Sequence, residues 1–343
     1  MFSASHGWVN DFKKRYGISS RKITRLVSKN DVRSMDEILK NAAAFQVDVK
    51  RISSSFSSNF ILNTDQAGFT YEITSSRTLT FKGEQITMGI SKSPTGLATH
   101  SYSVQYMINM SGEIVGDVFM CLQEKDGRIG PIVQQNLPSV PNVTLTCSKS
   151  GKLTRSLFAY FLDKVVLASV KEDFVLVLDS WNGQTNATDY QNRFGVNDSP
   201  NCQLKIIPKR CTSICQPLDT TFHRQLKYFA RRLYEEFFLF YSADIHPADE
   251  LTTRNNIIIM HSLLHNQFSA PIFKPMLKYS WYSSGLTDER VTFLSTKEVC
   301  FSFDKRDPIK CEQCGIHTRF LKCAYCRIKL CFNCFFYNFH YHF

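Results

Sequence analysis

The stretch Phe174 to Thr185, FVLVLDSWNGQT, constrains the fold more than any other part of the chain. Five apolar residues in a row end abruptly at Asp179 and small polar residues, the pattern of a buried strand that delivers a carboxylate to its C-terminal tip. In open α/β sheets the ends of such strands are where chemistry is placed. Two other stretches repeat the theme. Phe60 to Gly68, FILNTDQAG, is a second apolar run reaching Asp65, and Cys215 to Thr220, CQPLDT, sets Asp219 at the mouth of a long amphipathic pattern. Three separated carboxylates are therefore expected at one edge of one sheet.

The rest of the chain supports a mixed sheet. Strands are expected at Phe60 to Asn63, at Gly68 to Ile73 with Phe69, Tyr71 and Ile73 alternating, at Ser101 to Asn109 and at Asp117 to Leu122, with separators such as Met110-Ser111-Gly112-Glu113. A helix capped by Thr154 carries Leu157, Phe158, Phe161, Leu162, Val165 and Val166 and feeds the Phe174 strand; Gln203 to Ile207 follows as a short strand ended by Pro208. From about Thr220 to Tyr241, Phe222, Leu226, Phe229, Leu233, Phe237 and Phe240 recur at steps of three and four, one helical face that can lie on the sheet, with Arg224, Lys227, Arg231 and Arg232 between them. Hairpin strands, helix, acid-bearing strand, strand and acid-bearing helix make an α/β order with helices on the faces of the sheet. Residues 243–300 read as a helical or irregular connector; Phe273 to Tyr282, FKPMLKYSWY, suits either core packing or stacking on bases.

Charge separates the ends from the middle. The chain has 343 residues and a formal net charge of +11; residues 1–60 hold eleven Lys and Arg against five Asp and Glu, residues 301–343 seven against three, and the remainder 23 against 22. Basic terminal segments are the electrostatic footprint of a polyanion. No run approaches the roughly 18 to 20 apolar residues of a membrane span, and no apolar signal core is visible at the N-terminus, so the twelve cysteines read as reduced. At the N-terminus Trp8, Phe12 and Tyr16 share one helical face while Lys13, Lys14 and Arg15 project elsewhere; Gly17 stops that helix and Ser19 or Ser20 can cap a second short one through Lys22, Ile23 and Leu26. Residues 29–58, with the cluster Ser53 to Ser58, read as a helical segment and linker.

Mg²⁺ prefers oxygen ligands, and a pair of ions can be held by two or three carboxylates with the substrate phosphate completing the shells. Asp65 in NTDQAG, Asp179 in LDSWNGQT and Asp219 in CQPLDTTFHRQLK resemble, in the same order, the three catalytic aspartates of pogo and Tigger transposases in the mariner-like DDE superfamily. The segment Ser5 to Ile23 is similar to the last part of the centromere-protein-B type helix-turn-helix of those transposases. The resemblance covers roughly residues 5–28 and 59–241. It implies a ribonuclease H-like catalytic domain over 59–242, with Asp65, Asp179 and Asp219 binding Mg²⁺ or Mn²⁺; the spacing of 40 positions from Asp179 to Asp219 is a few residues longer than the family pattern, which leaves Glu235 and Glu236 as fallback third acids. It also implies a partial helix-turn-helix over 1–28, with Lys13, Lys14, Arg15, Arg21 and Lys22 facing double-stranded DNA. The stretch Lys149 to Thr154, KSGKLT, is not a phosphate loop, since Leu153 stands where Ser or Thr must follow the lysine.

The C-terminus carries the strongest spacing. Cys311-x2-Cys314, Cys323-x2-Cys326, Cys331-x2-Cys334 and His340-x-His342 supply eight ligands in four pairs, enough for two four-coordinate structural Zn²⁺ ions with no open position. Spacing leaves sequential and interleaved pairing both open. The run 301–343 also resembles the cysteine-rich domain of piggyBac-type transposases, which implies a cross-brace in which pairs one and three share one ion and pairs two and four the other. The chain thus reads as a nuclear transposase, or a transposase-derived DNA-binding protein, compatible with a homodimer and with neither a membrane nor a small-molecule substrate. Its function is expected to be metal-dependent cleavage at element ends and strand transfer. The alternatives are a catalytically inactive nuclear DNA-binding protein and a protein-interaction factor built on the zinc module.

Overall fold

A computed structural model describes residues 5–17, 35–73, 100–196, 198–240 and 250–342. The chain divides into two compact units, Met1–Lys40 and Asn41–Phe343. In the first, helix α1 (His6–Arg15) is capped by Ser5, whose hydroxyl accepts the Trp8 amide, and carries Lys13, Lys14 and Arg15 in its last turn. Its second expected helix, with Arg21 and Lys22, lies outside the described residues. Helix α2 (Met35–Ser53) occupies much of the segment read as a linker; from Asn41 onward it buries Ala42, Phe45, Val49 and Ile52 at helical spacing.

The second unit is built on a six-stranded sheet. Its strands are β1 (Ile61–Thr70), β2 (Ser101–Asn109), β3 (Val118–Gln123), β4 (Val143–Ser148), β5 (Phe174–Leu178) and β6 (Cys202–Ile206), in spatial order β4-β3-β2-β1-β5-β6. β1, β2 and β3 pair antiparallel, whereas β5 joins β1, and β6 joins β5, in parallel. Antiparallel strands on one side of β1 and parallel ones on the other give the ribonuclease H-like α/β order, extended at one edge by β4, which runs parallel to β3. β5 is buried along its whole length, as its unbroken apolar run requires.

Two details differ from the sequence reading. The expected strands Phe60 to Asn63 and Gly68 to Ile73 merge into one continuous β1, which ends at Thr70 rather than Ile73, because Asp65 and Gln66 stay paired with Tyr106 and Gln105 of β2. An acid does not interrupt a ladder when its side chain leaves the sheet on the functional face. β4 was not expected: it is an edge strand, half-buried throughout, so neither an apolar run nor a sharp alternation marks it.

Helices cover both faces. On one, α3 (Arg155–Phe161), capped by Thr154, continues through a π turn at Leu162–Val166, and its Phe158, Phe161 and Val165 pack with Leu62, Met107, Phe119 and Leu176. On the other lie α4 (His223–Phe240), entered through a π turn at Leu218–Phe222, and α5 (Arg254–Phe268). Tyr106 meets Phe222 at 5.1 Å between ring centres, and Phe222 meets Phe268 at 5.3 Å. The stripe Phe222, Leu226, Phe229, Leu233 and Phe237 is buried as expected. Residues 250–300, read as part of a connector, supply core. α5 is buried nearly all round, and α6 (Lys274–Ser283) buries Trp281, whose indole N–H donates to the Asn109 carbonyl at 2.9 Å, so FKPMLKYSWY packs. The C-terminal segment forms a small hairpin, β7 (Leu321–Lys322) and β8 (Lys329–Leu330), and helix α7 (Phe332–Phe336); Phe335 stacks on Phe229 and Phe332 lies against Phe237. Among the described residues no helix is long and apolar enough to cross a membrane.

Candidate functional site

Parallel pairing sets two of the acids level. Asn63 of β1 faces Val177 of β5, so Asp65, two residues on, stands level with Asp179, the first residue past β5. Successive residues of a strand alternate faces, so Asp65 leaves the sheet on the same side as Asn63. That side carries α4.

Asp219 is brought there by a buried polar bolt. The Asn63 amide donates to the Val177 carbonyl and to the Gln216 side-chain oxygen, both at 2.9 Å, while the Gln216 amide donates to the Thr64 carbonyl at 3.3 Å. The Leu218 backbone N–H donates in turn to the Asn63 side-chain oxygen at 3.3 Å. Asn63 and Gln216 are fully buried. A buried amide left unpaired costs about 1–3 kcal/mol, so the two side chains fix each other and the start of the helix behind them. This is the physical content of the Gln216-Pro217-Leu218-Asp219 sequence: its glutamine reads the strand that holds Asp65.

The structure gathers Asp65, Asp219 and His223, whose candidate ligand atoms all lie within 4.8 Å of one another. His223 Nδ1 stands 3.1 Å from an Asp219 oxygen and 3.7 Å from an Asp65 oxygen. Its Nε2 is buried with no hydrogen-bond partner among the described residues. Burial pushes the Asp65 carboxyl up to about 7; His223 opposes the shift, and the Asp219 and Asp179 carboxylates add to it. Asp179 is not part of this close group. Its carboxylate accepts the Trp181 backbone N–H at 3.1 Å and a short bond from the Gln184 side chain, and burial followed by the Asp219 charge raises its pKa against those donors. Two carboxylates with an imidazole beside them, one of the acids in a site where burial disfavours its charge until a cation offsets it, form a donor set that suits a divalent cation. Glu235 is ion-paired to Arg232, and both Glu235 and Glu236 lie at least four helical turns beyond Asp219, roughly 24 Å along the axis, so neither reaches the cluster. His223, Asn63 and Gln184 were missed by the sequence reading. The signal for His223 was available, since it stands four residues after Asp219 on a helix, where side chains share a face.

The cysteine and histidine ligands gather in two groups. Cys311, Cys314, Cys331 and Cys334 form one, and Cys323, Cys326, His340 and His342 the other, each with its ligand atoms within 4.8 Å. In the second group Cys323 Sγ is 3.3 Å from His342 Nε2 and Cys326 Sγ is 3.4 Å from His340 Nε2. The two groups are interleaved in sequence, the first pair with the third and the second with the fourth. Backbone N–H groups of His317 and Ile316 bring Cys314 down to about 6. Burial acts against it at Cys323, yet hydrogen bonds from His340, the Cys326 backbone and Gln267 still bring that thiol to about 6. Four soft or borderline donors converging without a free position suit zinc. The second group is tied to α5: the Gln267 amide donates to Cys323 Sγ at 3.4 Å, and Asn266 accepts the His342 backbone N–H at 3.1 Å.

On α1, Trp8, Phe12 and Tyr16 lie along one exposed face, with ring centres 5.1 and 4.7 Å apart, and Lys14 and Arg15 are exposed while Lys13 is partly covered.

Residues 124–270 match the family described as DDE superfamily endonuclease, and residues 1–22 match the Tc5 transposase DNA-binding domain. The chain is transposase-like. Its endonuclease-type segment includes Asp179 and Asp219, and Asp65 lies ahead of it on β1. The DNA-binding match includes Lys13, Lys14, Arg15, Arg21 and Lys22. Among solved structures, similarity is found to the Mos1 strand transfer complex, at 10% identity and a TM-score of 0.40 over 83% of this chain and 71% of that one. A Mos1 mariner paired-end complex with Mn aligns at 8% identity and a TM-score of 0.39, over 83% of this chain and 72% of that one. Comparison with curated protein sequences gives no match.

Proposed function

We propose that this transposase-like chain is a pogo/Tigger-type enzyme of the mariner-like DDE superfamily that cuts double-stranded DNA at element ends and transfers the strand into target DNA. The observation that carries the reading is the convergence of Asp65 and Asp219 from distant parts of the sequence, fixed by the Asn63–Gln216 bolt, with Asp179 level on the next strand. Asp65, Asp179 and Asp219 are the residues that hold Mg²⁺ or Mn²⁺. A bound divalent pair supplies charge stabilisation for in-line displacement at phosphorus. His223 donates its Nδ1–H to Asp219 and keeps that carboxylate turned toward Asp65. Gln184 holds the Asp179 carboxylate in place from the other side.

The other assignments follow the same plan. Residues 1–28 are a partial helix-turn-helix in which Lys13, Lys14, Arg15, Arg21 and Lys22 contact phosphates. Residues 59–242 carry the acids on the ribonuclease H-like sheet. Residues 301–343 are a piggyBac-like module with two structural Zn²⁺ ions in a cross-brace, supported by the two closed ligand groups. The protein acts in the nucleus, and a homodimer would pair two element ends.

Nicking of supercoiled plasmid in Mn²⁺ tests the proposal. Wild type should nick, and Asp65→Asn and Asp179→Asn should bind DNA without nicking; variants that nick like wild type would refute the metal role. A second reading has one observation in its favour, the hydrogen bonds from Gln184 and the Trp181 backbone that occupy Asp179 away from the Asp65–Asp219 group. It makes the chain a non-catalytic nuclear DNA-binding protein, and on it wild type binds the plasmid and never nicks it.

A further inference from the structure

Beyond the acid cluster, α4 continues a line of polar side chains at steps of four: Asp219, His223, Lys227 and Arg231. Residues four apart on a helix lie one above another, so the face that reaches Asp65 goes on to present two cations. Those cations border an open cleft lined also by Phe69, Tyr102 and Lys152, with no carboxylate among the described residues that line it. Phe69 lies four residues past Asp65 on β1 and on the same face of the sheet, about 13 Å along the strand at 3.3 Å per residue. Its ring stacks on Tyr102 at 5.5 Å, and Lys227 Nζ stands 5.8 Å from its centre.

Lys152 lines the same cleft, and its backbone is fixed in place. Gly151 takes a φ of +68°, and a Cβ at that position would collide with the Ser101 carbonyl, so the turn after β4 lies directly on the start of β2. The Ser148 hydroxyl donates to the Lys152 carbonyl at 2.8 Å. Several other cations of this unit are neutralised: Arg155, Arg193, Lys205, Arg254 and Lys274 each pair with a carboxylate. Among the described residues Lys152, Lys227 and Arg231 have no such partner. Three unneutralised cations converging on one cleft over an aromatic floor fit a run of phosphates.

We propose that this cleft is a phosphate-backbone subsite, in which Lys152, Lys227 and Arg231 seat the DNA strand about four nucleotides from the phosphate at the acid cluster, at 3.4 Å per nucleotide. The proposal rests on the endonuclease reading for the identity of its ligand. The cleft positions the strand and takes no part in bond cleavage.

The test measures binding of the full-length protein to a labelled random-sequence duplex across a salt series, without Mg²⁺ or Mn²⁺, so that no cleavage is needed. The triple variant Lys152→Gln/Lys227→Gln/Arg231→Gln should flatten the log–log salt slope by about 2 to 3, at about 0.9 per lost phosphate contact. Lys171→Gln, just before the start of β5 and so at the opposite end of the parallel strands from the cleft, should leave the slope as in wild type. Restoring charge with Arg at positions 152 and 227 of the triple variant should recover about two-thirds of the loss. A triple variant with the wild-type melting temperature and the wild-type slope overturns the subsite, as does an equal flattening by Lys171→Gln. Plasmid nicking separates the two proposals. Wild type that nicks while the triple variant keeps its slope leaves the endonuclease and removes the subsite; wild type that never nicks while the triple variant loses slope does the reverse.

Discussion

Acid should destabilise this fold through one buried imidazole. His261 is fully buried on α5 beneath the cleft, its Nε2 hydrogen-bonded to the Tyr102 hydroxyl at 3.0 Å and its ring edge-on to Phe69, and burial lowers its pKa from 6.5 to about 3. A lowered folded pKa means that below 6.5 the unfolded chain takes up a proton that the folded chain refuses, so stability falls as pH drops from about 6.5 toward about 3. Between about pH 7.5 and pH 5 the loss is RT ln(1 + 10^1.5), about 2 kcal/mol. His265, also lowered by burial, adds in the same direction. The assay is urea unfolding of wild type and His261→Gln at both pH values. The glutamine keeps a polar partner for Tyr102, and its own stability cost cancels when each protein is compared with itself across pH. Wild type should lose about 2 kcal/mol more than the variant over that interval. Equal losses would refute the reasoning, since they would mean that folded His261 accepts a proton as readily as the unfolded one.

Three further outcomes follow from the sites. Asp65→Asn should abolish Mn²⁺-dependent plasmid nicking while its DNA affinity, read by fluorescence anisotropy, stays equal or rises, because a negative charge facing phosphate is gone; parallel loss of both would count against a metal role. Gln216→Ala should cost about 1–3 kcal/mol in urea unfolding by stranding Asn63 and should also depress nicking, since the bolt that sets Asp219 is broken; unchanged activity would show that Asp219 is placed by other means. Cys323→Ser should lower zinc content from about two ions per chain to about one by elemental analysis. Because Gln267 and Asn266 of the sheet-packed α5 hold that ligand group, the same change should lower the melting temperature of the main domain, and an unshifted transition would show the C-terminal segment to be energetically separate.

Much of this architecture was legible in the chain. The run at Phe174 to Leu178 has no polar side to expose, so it can only be an inner strand, and its abrupt end puts Asp179 at a sheet edge. The stripe from Phe222 to Phe237 carries helical period in its own spacing. The edge strand Val143–Ser148 was not legible, since half-burial on both faces erases the pattern that would reveal it. Nor was the role of α5, whose apolar and polar residues are buried alike because it is packed on several sides, so no amphipathic period betrays which face meets the sheet.

The sequence by itself determined the kinds of group and their local placement: the acids after apolar runs, four ligand pairs at metal-binding spacing, and basic termini. Periodicity, turn chemistry and short ligand spacings act over a few residues, and a linear text records them. Only the tertiary structure decided which distant groups meet. It brought His223 into contact with Asp219 and Asp65, left Asp179 tied to Gln184, interleaved the cysteine pairs, and turned scattered cations at 152, 227 and 231 toward one cleft. Those meetings depend on strand order, on the Asn63–Gln216 bond across the core and on the turn at Gly151, where energies of a few kcal/mol are decided by neighbours far away in sequence.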